Sequence, residues 1–266
     1  MTSTTQTSQA VSCCKDIERI SDHTGKASAD VIITRPPYHL YEEYNLYSHL
    51  KTILKPSGSL FLIMRGKSSE EVKPLRVISK ICGTDIDSAG WVLQNHVIWV
   101  KSISLDLDKN VDNRFGQACY GRFKPVHSER FENNLFEHVF HLTKHGDITI
   151  DRMAIGVPYK DKSNIDRWSS ASEDRRCRGN VWYVPEHPGF STPVKLAETC
   201  IKFHGIKKDM LVVDPFARNG AVLLASMNLD VEAMGFVSEP YQCSAVKKVV
   251  SDAYNAMHQN IWSAIT

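Results

Sequence analysis

The chain has 266 residues, 42% of them hydrophobic, and a formal net charge of +2. That length buries one sizeable core, and the near-neutral balance excludes an obligate polyanion binder while leaving room for a local basic face. Seven cysteines with no Cys-x-x-Cys pair argue for buried thiols in a reducing compartment, and the lack of a long apolar run or targeting leader predicts a soluble intracellular protein of cytoplasm or nucleus.

Residues 1–12 are polar and low in complexity, so a disordered N-terminus is expected. A short helix around Asp16–Ser21 precedes the run Asp30-Val31-Ile32-Ile33-Thr34-Arg35-Pro36-Pro37-Tyr38. Its β-branched residues predict a buried strand, and the two prolines a stiff corner at the strand's carboxyl end, where ligands sit in open α/β sheets. Tyr44, Tyr47 and Leu50 share a helical face. Ser59–Met64 predicts a second strand, Gly90–Val100 contains a third centred on His96–Val100, and Phe136–Thr143 gives a fourth, with Asp147–Ile150 as a continuation.

From Lys101 to Pro188 apolar runs thin out, and basic residues alternate with rings. Lys124, Lys160, Lys162, Arg175, Arg176 and Arg178 fall there, among Phe123, Tyr159, Trp168 and Trp182. Charges for phosphates and rings for stacking suit a nucleic-acid face. Acids such as Asp161 and Glu173 dilute the pattern, and an ordinary solvated surface fits the composition equally well.

Beyond His187 the rhythm is regular. Ser191-Thr192-Pro193 predicts a helix start with a hydroxyl N-cap, and His204-Gly205 its close. Met210–Asp214 reads as a strand, Ala221–Met227 as a helix, Glu232–Val237 as a strand, and Tyr241 onward as a final helix. That alternation means a parallel sheet with right-handed crossovers. Of the histidines, His138 and His141 point to opposite faces of one strand, so no metal site is expected.

Two strand ends carry the chemistry: Thr34-Arg35-Pro36-Pro37-Tyr38 and Asp214-Pro215-Phe216-Ala217-Arg218-Asn219-Gly220. With the helix at Pro193 just ahead of the second, the chain resembles the S-adenosylmethionine-dependent DNA amino-methyltransferases. The resemblance is to the branch in which the Pro-Pro-Tyr motif comes first, then target recognition, then the cofactor motif. Gly156–Ile165 and Arg176–Trp182 look like stretches from its bacterial N4-cytosine members. The resemblance spans Asp30 to Lys247. It implies a three-layer, Rossmann-like α/β methyltransferase fold over residues 13–266, with a mostly parallel sheet and an inserted target-recognition region near 101–188. It also implies S-adenosyl-L-methionine as cofactor and DNA as substrate, RNA not excluded, with N4 of cytosine ahead of N6 of adenine. Asp214, Pro215, Phe216 and Gly220 would shape the cofactor site, with Glu239 as a candidate ribose acid. Pro36, Pro37 and Tyr38 would hold an extruded base, with Arg35 at the catalytic acceptor position.

Three positions depart from the family pattern. Arg35 stands where the family has Ser, Asp or Asn, and guanidinium has no acceptor. Beside a sulfonium about 5 Å away it adds repulsion of roughly 3 kcal/mol. Arg218 replaces a small residue of the cofactor loop, and Val237 falls where the ribose acid is expected. Two functions therefore stay open: an amino-methyltransferase, or a pseudo-methyltransferase that binds nucleic acid or pairs with an active subunit or a second copy.

Overall fold

The computed structural model describes residues 9–13, 17–67, 69–83, 89–104, 119–120, 129–159, 175–187 and 191–265, the last nine without their side chains. Eight strands form the central sheet: β1 Gln9–Cys13, β2 Ala29–Thr34, β3 Leu54–Met64, β4 Val92–Val100, β5 Phe136–Thr143, β6 Val181–Tyr183, β7 Leu211–Asp214 and β8 Glu232–Val237. Their spatial order is β1-β8-β7-β2-β3-β5-β4-β6. Every neighbouring pair is parallel except the two that β5 makes, with β3 and β4. The helices are α1 Ile20–Thr24, α2 Tyr44–Ile53, α3 Lys73–Ile81, α4 Val194–His204, α5 Ala221–Asn228 and α6 Pro240–Ile265.

The alternation along β2 shows how the layers form. Val31 and Ile33 face a cluster with Leu196 and Ile201 of α4, Val222 of α5 and Val246 of α6. Ile32 faces the other side, with Leu46 and Leu50 of α2 and Val77 and Ile81 of α3. A strand buried on both faces needs apolar residues at every position, which is why its run is continuous. The result is the expected three-layer α/β architecture with a mostly parallel sheet.

Several local expectations are corrected. Residues 9–12, expected to be disordered, are part of strand β1: Ala10 and Val11 add to the edge of β8, and Gln9 Nε2 donates to the carbonyl of Val231 at 2.8 Å, while residues 1–8 lie outside the described residues. Pro193, not a hydroxyl residue, is the N-cap of α4, with no side-chain cap bond. Residues 147–150 do not extend β5. Helix α3 was not foreseen; Pro74 in its first turn and Val77, Ile78 and Ile81 on its buried face account for it. The stretch 101–188 is not wholly an insertion, because β5 and β6 belong to the main sheet and Trp182 is fully buried. Among the described cysteines, Cys13 and Cys177 are exposed rather than buried.

The core also holds a polar chain. Asn95 Nδ2 lies 2.9 Å from His141 Nδ1, His141 Nε2 2.8 Å from Ser59 Oγ, and Ser59 Oγ 2.8 Å from His204 Nδ1. With the amide donating, each member passes one hydrogen bond to the next, and His204 Nε2 ends the chain buried without a partner among the described residues. On the opposite face His138 meets His96 at 2.9 Å and stacks on Phe140. Burial holds the His141 imidazole down to about 3, and those of His138 and His204 to about 4. Among the described residues no three His, Cys, Asp or Glu side chains cluster as a metal site, and no helix is long and apolar enough to cross a membrane.

Candidate active site

Strands β2 and β7 are parallel neighbours in the middle of the sheet, with Val31 opposite Val212 and Ile32 opposite Val213. Asp214, at the end of one, therefore comes beside Thr34 and Arg35 at the end of the other. Ile33, Thr34, Arg35, Ser191, Thr192, Asp214, Phe216, Arg218 and Val222 all border one narrow cleft. Two motifs some 180 residues apart in sequence thus open into the same space, at the carboxyl end of the parallel strands.

The loop out of β7 is built from backbone constraints. The Phe216 amide donates to Asp214 Oδ1 at 3.0 Å, and the Ala217 amide to the Phe236 carbonyl at 2.8 Å. Gly220 then turns left-handed at φ +80° to start α5, where an added Cβ would press on Val246 at 3.1 Å. Arg218 also takes a left-handed backbone, at φ +38°, without being glycine. Its side chain is exposed at the cleft. Asp214 is buried, which pushes its carboxyl up to about 7 against the opposing pull of the Phe216 amide and the Arg218 guanidinium.

Arg35 does not face solvent. One arm of its guanidinium donates to the Ser191 carbonyl ahead of α4, the other to Glu137 Oε1 at the start of β5. The Glu137 side chain is 0% exposed, against 13% for Arg35. Lys101 Nζ lies 3.4 Å from the same carboxylate oxygen and 3.5 Å from Glu186, so two cations and two acids form one network. The other oxygen, Glu137 Oε2, is buried without a hydrogen-bond partner among the described residues. Sequence reading missed Glu137. Its one signal was an acid inside the apolar run Phe136–Thr143, which demands a cation once buried.

The rest of the corner is held from beneath and from the side. Pro36 is buried, and Pro37 caps the short turn Tyr38–Leu40. The half-buried Tyr38 donates its hydroxyl to Glu70, and partial burial together with that carboxylate pushes the phenol up to about 12. Lys67 Nζ sits 3.9 Å from the Tyr38 ring centroid and Lys73 Nζ 4.7 Å. Lys67 and Glu70 come from the stretch between β3 and α3, and Lys73 opens α3. One face of Tyr38 thus carries an ammonium group.

The remaining candidates are dispersed. Glu239 begins the turn into α6, its carbonyl accepting from the Gln242 and Cys243 amides, and neither it nor the buried Val237 borders the cleft. Arg175 and Arg176 are exposed in a two-residue ribbon against Val157–Pro158, while Arg178 is half-buried. Lys124, Lys160 and Lys162 lie outside the described residues.

A family model for DNA methylases matches residues 29–248, from the first residue of β2 into α6. The chain belongs to the DNA methylase family. Solved structures share the fold at low identity. The PvuII DNA methyltransferase, cytosine-N4-specific, is 16% identical with a TM-score of 0.60, covering 94% of this chain and 93% of its own. M1.HpyAVI in complex with SAM is 18% identical with a TM-score of 0.52, covering 91% and 99%. TTHA0409 from Thermus thermophilus, complexed with S-adenosyl-L-methionine, is 16% identical with a TM-score of 0.57, covering 92% and 94%. Among curated protein sequences, none matches this chain.

S-adenosylmethionine is the cofactor of the DNA methylase family, and the cleft can be tested against it. The apolar wall of Ile33 and Val222, the partly exposed Phe216 ring and the open first turn of α5 suit a nucleoside with a carboxylate tail. Glycine at 220 lets the backbone come close. The residues fit the cofactor in these respects, and the ribose finds no acid on the cleft wall besides Asp214.

Proposed function

We propose that this DNA methylase transfers a methyl group from S-adenosylmethionine to an exocyclic base amine of DNA, N4 of cytosine ahead of N6 of adenine. The observation that carries the reading is the pairing of β2 with β7, which brings Thr34 and Arg35, immediately ahead of the Pro-Pro-Tyr corner, and the Asp-Pro-Phe loop to one cleft. Family membership supports it, and the fold shared with a cytosine-N4-specific enzyme favours cytosine.

Asp214, the loop to Gly220, Ser191 and Thr192 are the groups that would hold the cofactor. Bound there, it supplies an electrophilic methyl on its sulfonium. Pro36 and Pro37 fix Tyr38 so that an extruded base can stack on its ring once Lys67 withdraws. The amine would then lie near Arg35. In place of an acceptor, that position offers donors already committed to Glu137 and Ser191. Glu137 is the nearest carboxylate in the network, and it lies behind the guanidinium.

That commitment favours a second reading, a pseudo-methyltransferase that binds nucleic acid, or pairs with a second copy or an active methyltransferase subunit. Tritium transfer from labelled S-adenosylmethionine to duplex DNA by the purified chain, lost in Tyr38→Ala, is the outcome expected of the enzyme. A thermal shift with the cofactor but no transfer, with DNA binding that weakens steeply with salt, would favour the second reading.

A further inference from the structure

Methyl transfer gives no task to Arg218, whose charge opposes a sulfonium. The cleft around it is nonetheless rich in donors. Arg35 and Arg218 both border it. The exposed Arg65, whose amide donates to the Tyr41 hydroxyl at 3.0 Å, adds a further positive charge felt at Arg218. Arg35 is balanced by Glu137; Arg218 has only Asp214 for an acid on the cleft wall, and burial pushes that carboxyl up toward its neutral form. Helix α5, eight residues long, points its first turn at the same space, with Ala221 and Val222 on the wall and no side chain capping its amides. Independently of these, Thr34 borders the cleft at 1% exposure, and its hydroxyl has no partner among the described residues. A buried hydroxyl left unmatched in a native fold calls for a partner such as a bound water, ion or ligand atom.

A guanidinium, an open helix N-terminus and an unmatched hydroxyl converging on one space are the groups that bind phosphate. We propose that this cleft takes the phosphate of a nucleotide, with Arg218 as its anchor and the Thr34 hydroxyl and the first turn of α5 as further donors. The inference rests on reading the cleft as a nucleoside site and adds the charge that the nucleoside carries. The phosphate belongs either to a free nucleotide or to the strand that presents the base.

Isothermal titration of the full chain with adenosine, AMP and a single-stranded oligodeoxynucleotide tests this, with S-adenosylmethionine titrated in parallel. AMP is expected to bind at least tenfold more tightly than adenosine, with the preference erased in Arg218→Gly and partly kept in Arg218→Lys. Glycine suits the left-handed backbone at 218, so that variant should fold. An oligonucleotide that displaces AMP, or that binds alone and loses tenfold in Arg218→Gly, assigns the phosphate to a strand. An oligonucleotide that leaves bound AMP in place assigns it to a free nucleotide. Absence of any preference for AMP over adenosine, together with unchanged oligonucleotide affinity in Arg218→Gly, overturns the proposal. The cofactor titration reports separately: silence there counts against methyl transfer and leaves the AMP-to-adenosine ratio to judge the phosphate site.

Discussion

Arg35 cannot be exchanged for the family's serine without consequence, because Glu137 depends on it. Removing one partner of a buried pair leaves a charge uncompensated and typically costs about 3–5 kcal/mol. Arg35→Ser is therefore expected to lower the unfolding free energy from urea denaturation by that amount, with Lys101 softening the loss. The double variant Arg35→Ser/Glu137→Gln removes the stranded charge and should regain most of the stability. It is the fairer background in which to ask whether serine restores methyl transfer. A single variant as stable as wild type would show that the pair does not act as a buried one. A smaller prediction concerns Tyr38. Replacing Glu70 by glutamine removes the carboxylate that accepts from the phenol, so ionisation followed by ultraviolet absorbance should move from about 12 back toward the ordinary value. No movement would mean that the Glu70 contact is absent in solution.

At the scale of elements, the cleft depends on how closely β8 approaches the loop that follows β7. A Cβ on Gly235 would come within 2.7 Å of Leu223 and 2.8 Å of Ala217. The Ala217 methyl cannot rotate aside, so the loop itself must shift. Gly235→Ala is expected to cost about 1–3 kcal/mol and to weaken S-adenosylmethionine binding through the displaced loop. Unchanged affinity at reduced stability would separate the packing from the site. The element level is also where sequence reading went furthest. Continuous apolar runs identified β2, β3 and β7, as expected of strands buried on both faces. Helix α3 escaped because its nine residues span too few turns for the spacing of Val77, Ile78 and Ile81 to stand out. Strand β1 escaped because Gln9 and Ser12 look like a polar tail until β8 offers them an edge. The network around Arg35 was illegible for a different reason. Its members, 35, 101, 137 and 186, are joined only by the sheet order, which no local pattern encodes.

For the molecule as a whole, the buried histidines set the response to acid. His138, His141 and His204 titrate in the fold at about 3 to 4, below the ordinary 6.5, so they stay neutral where an unfolded chain would take up protons. Their contribution is complete above pH 6.5 and is lost as pH falls toward their folded values. By pH 5 the loss is on the order of 2 kcal/mol for each. Asp214 has the opposite sign: its carboxyl titrates near 7 in the fold, so its burial costs most above pH 7 and nothing below the unfolded value. The three imidazoles outweigh it in acid, and denaturant midpoints should drop steeply from pH 7 to pH 5. A flat profile would mean that the histidine chain is hydrated in solution.

The pairing of β2 with β7 has one more consequence, for the ribosome. Val31 meets Val212 across 181 positions of sequence. At about 5–20 residues per second, the first strand waits roughly 10–40 seconds for its neighbour. Throughout that interval one edge of Val31-Ile32-Ile33 is an unpaired, apolar template for any other strand nearby. A nascent chain stopped short of residue 211 should therefore aggregate unless a holdase covers it, and the yield of soluble protein should rise when translation of the middle of the message is made faster.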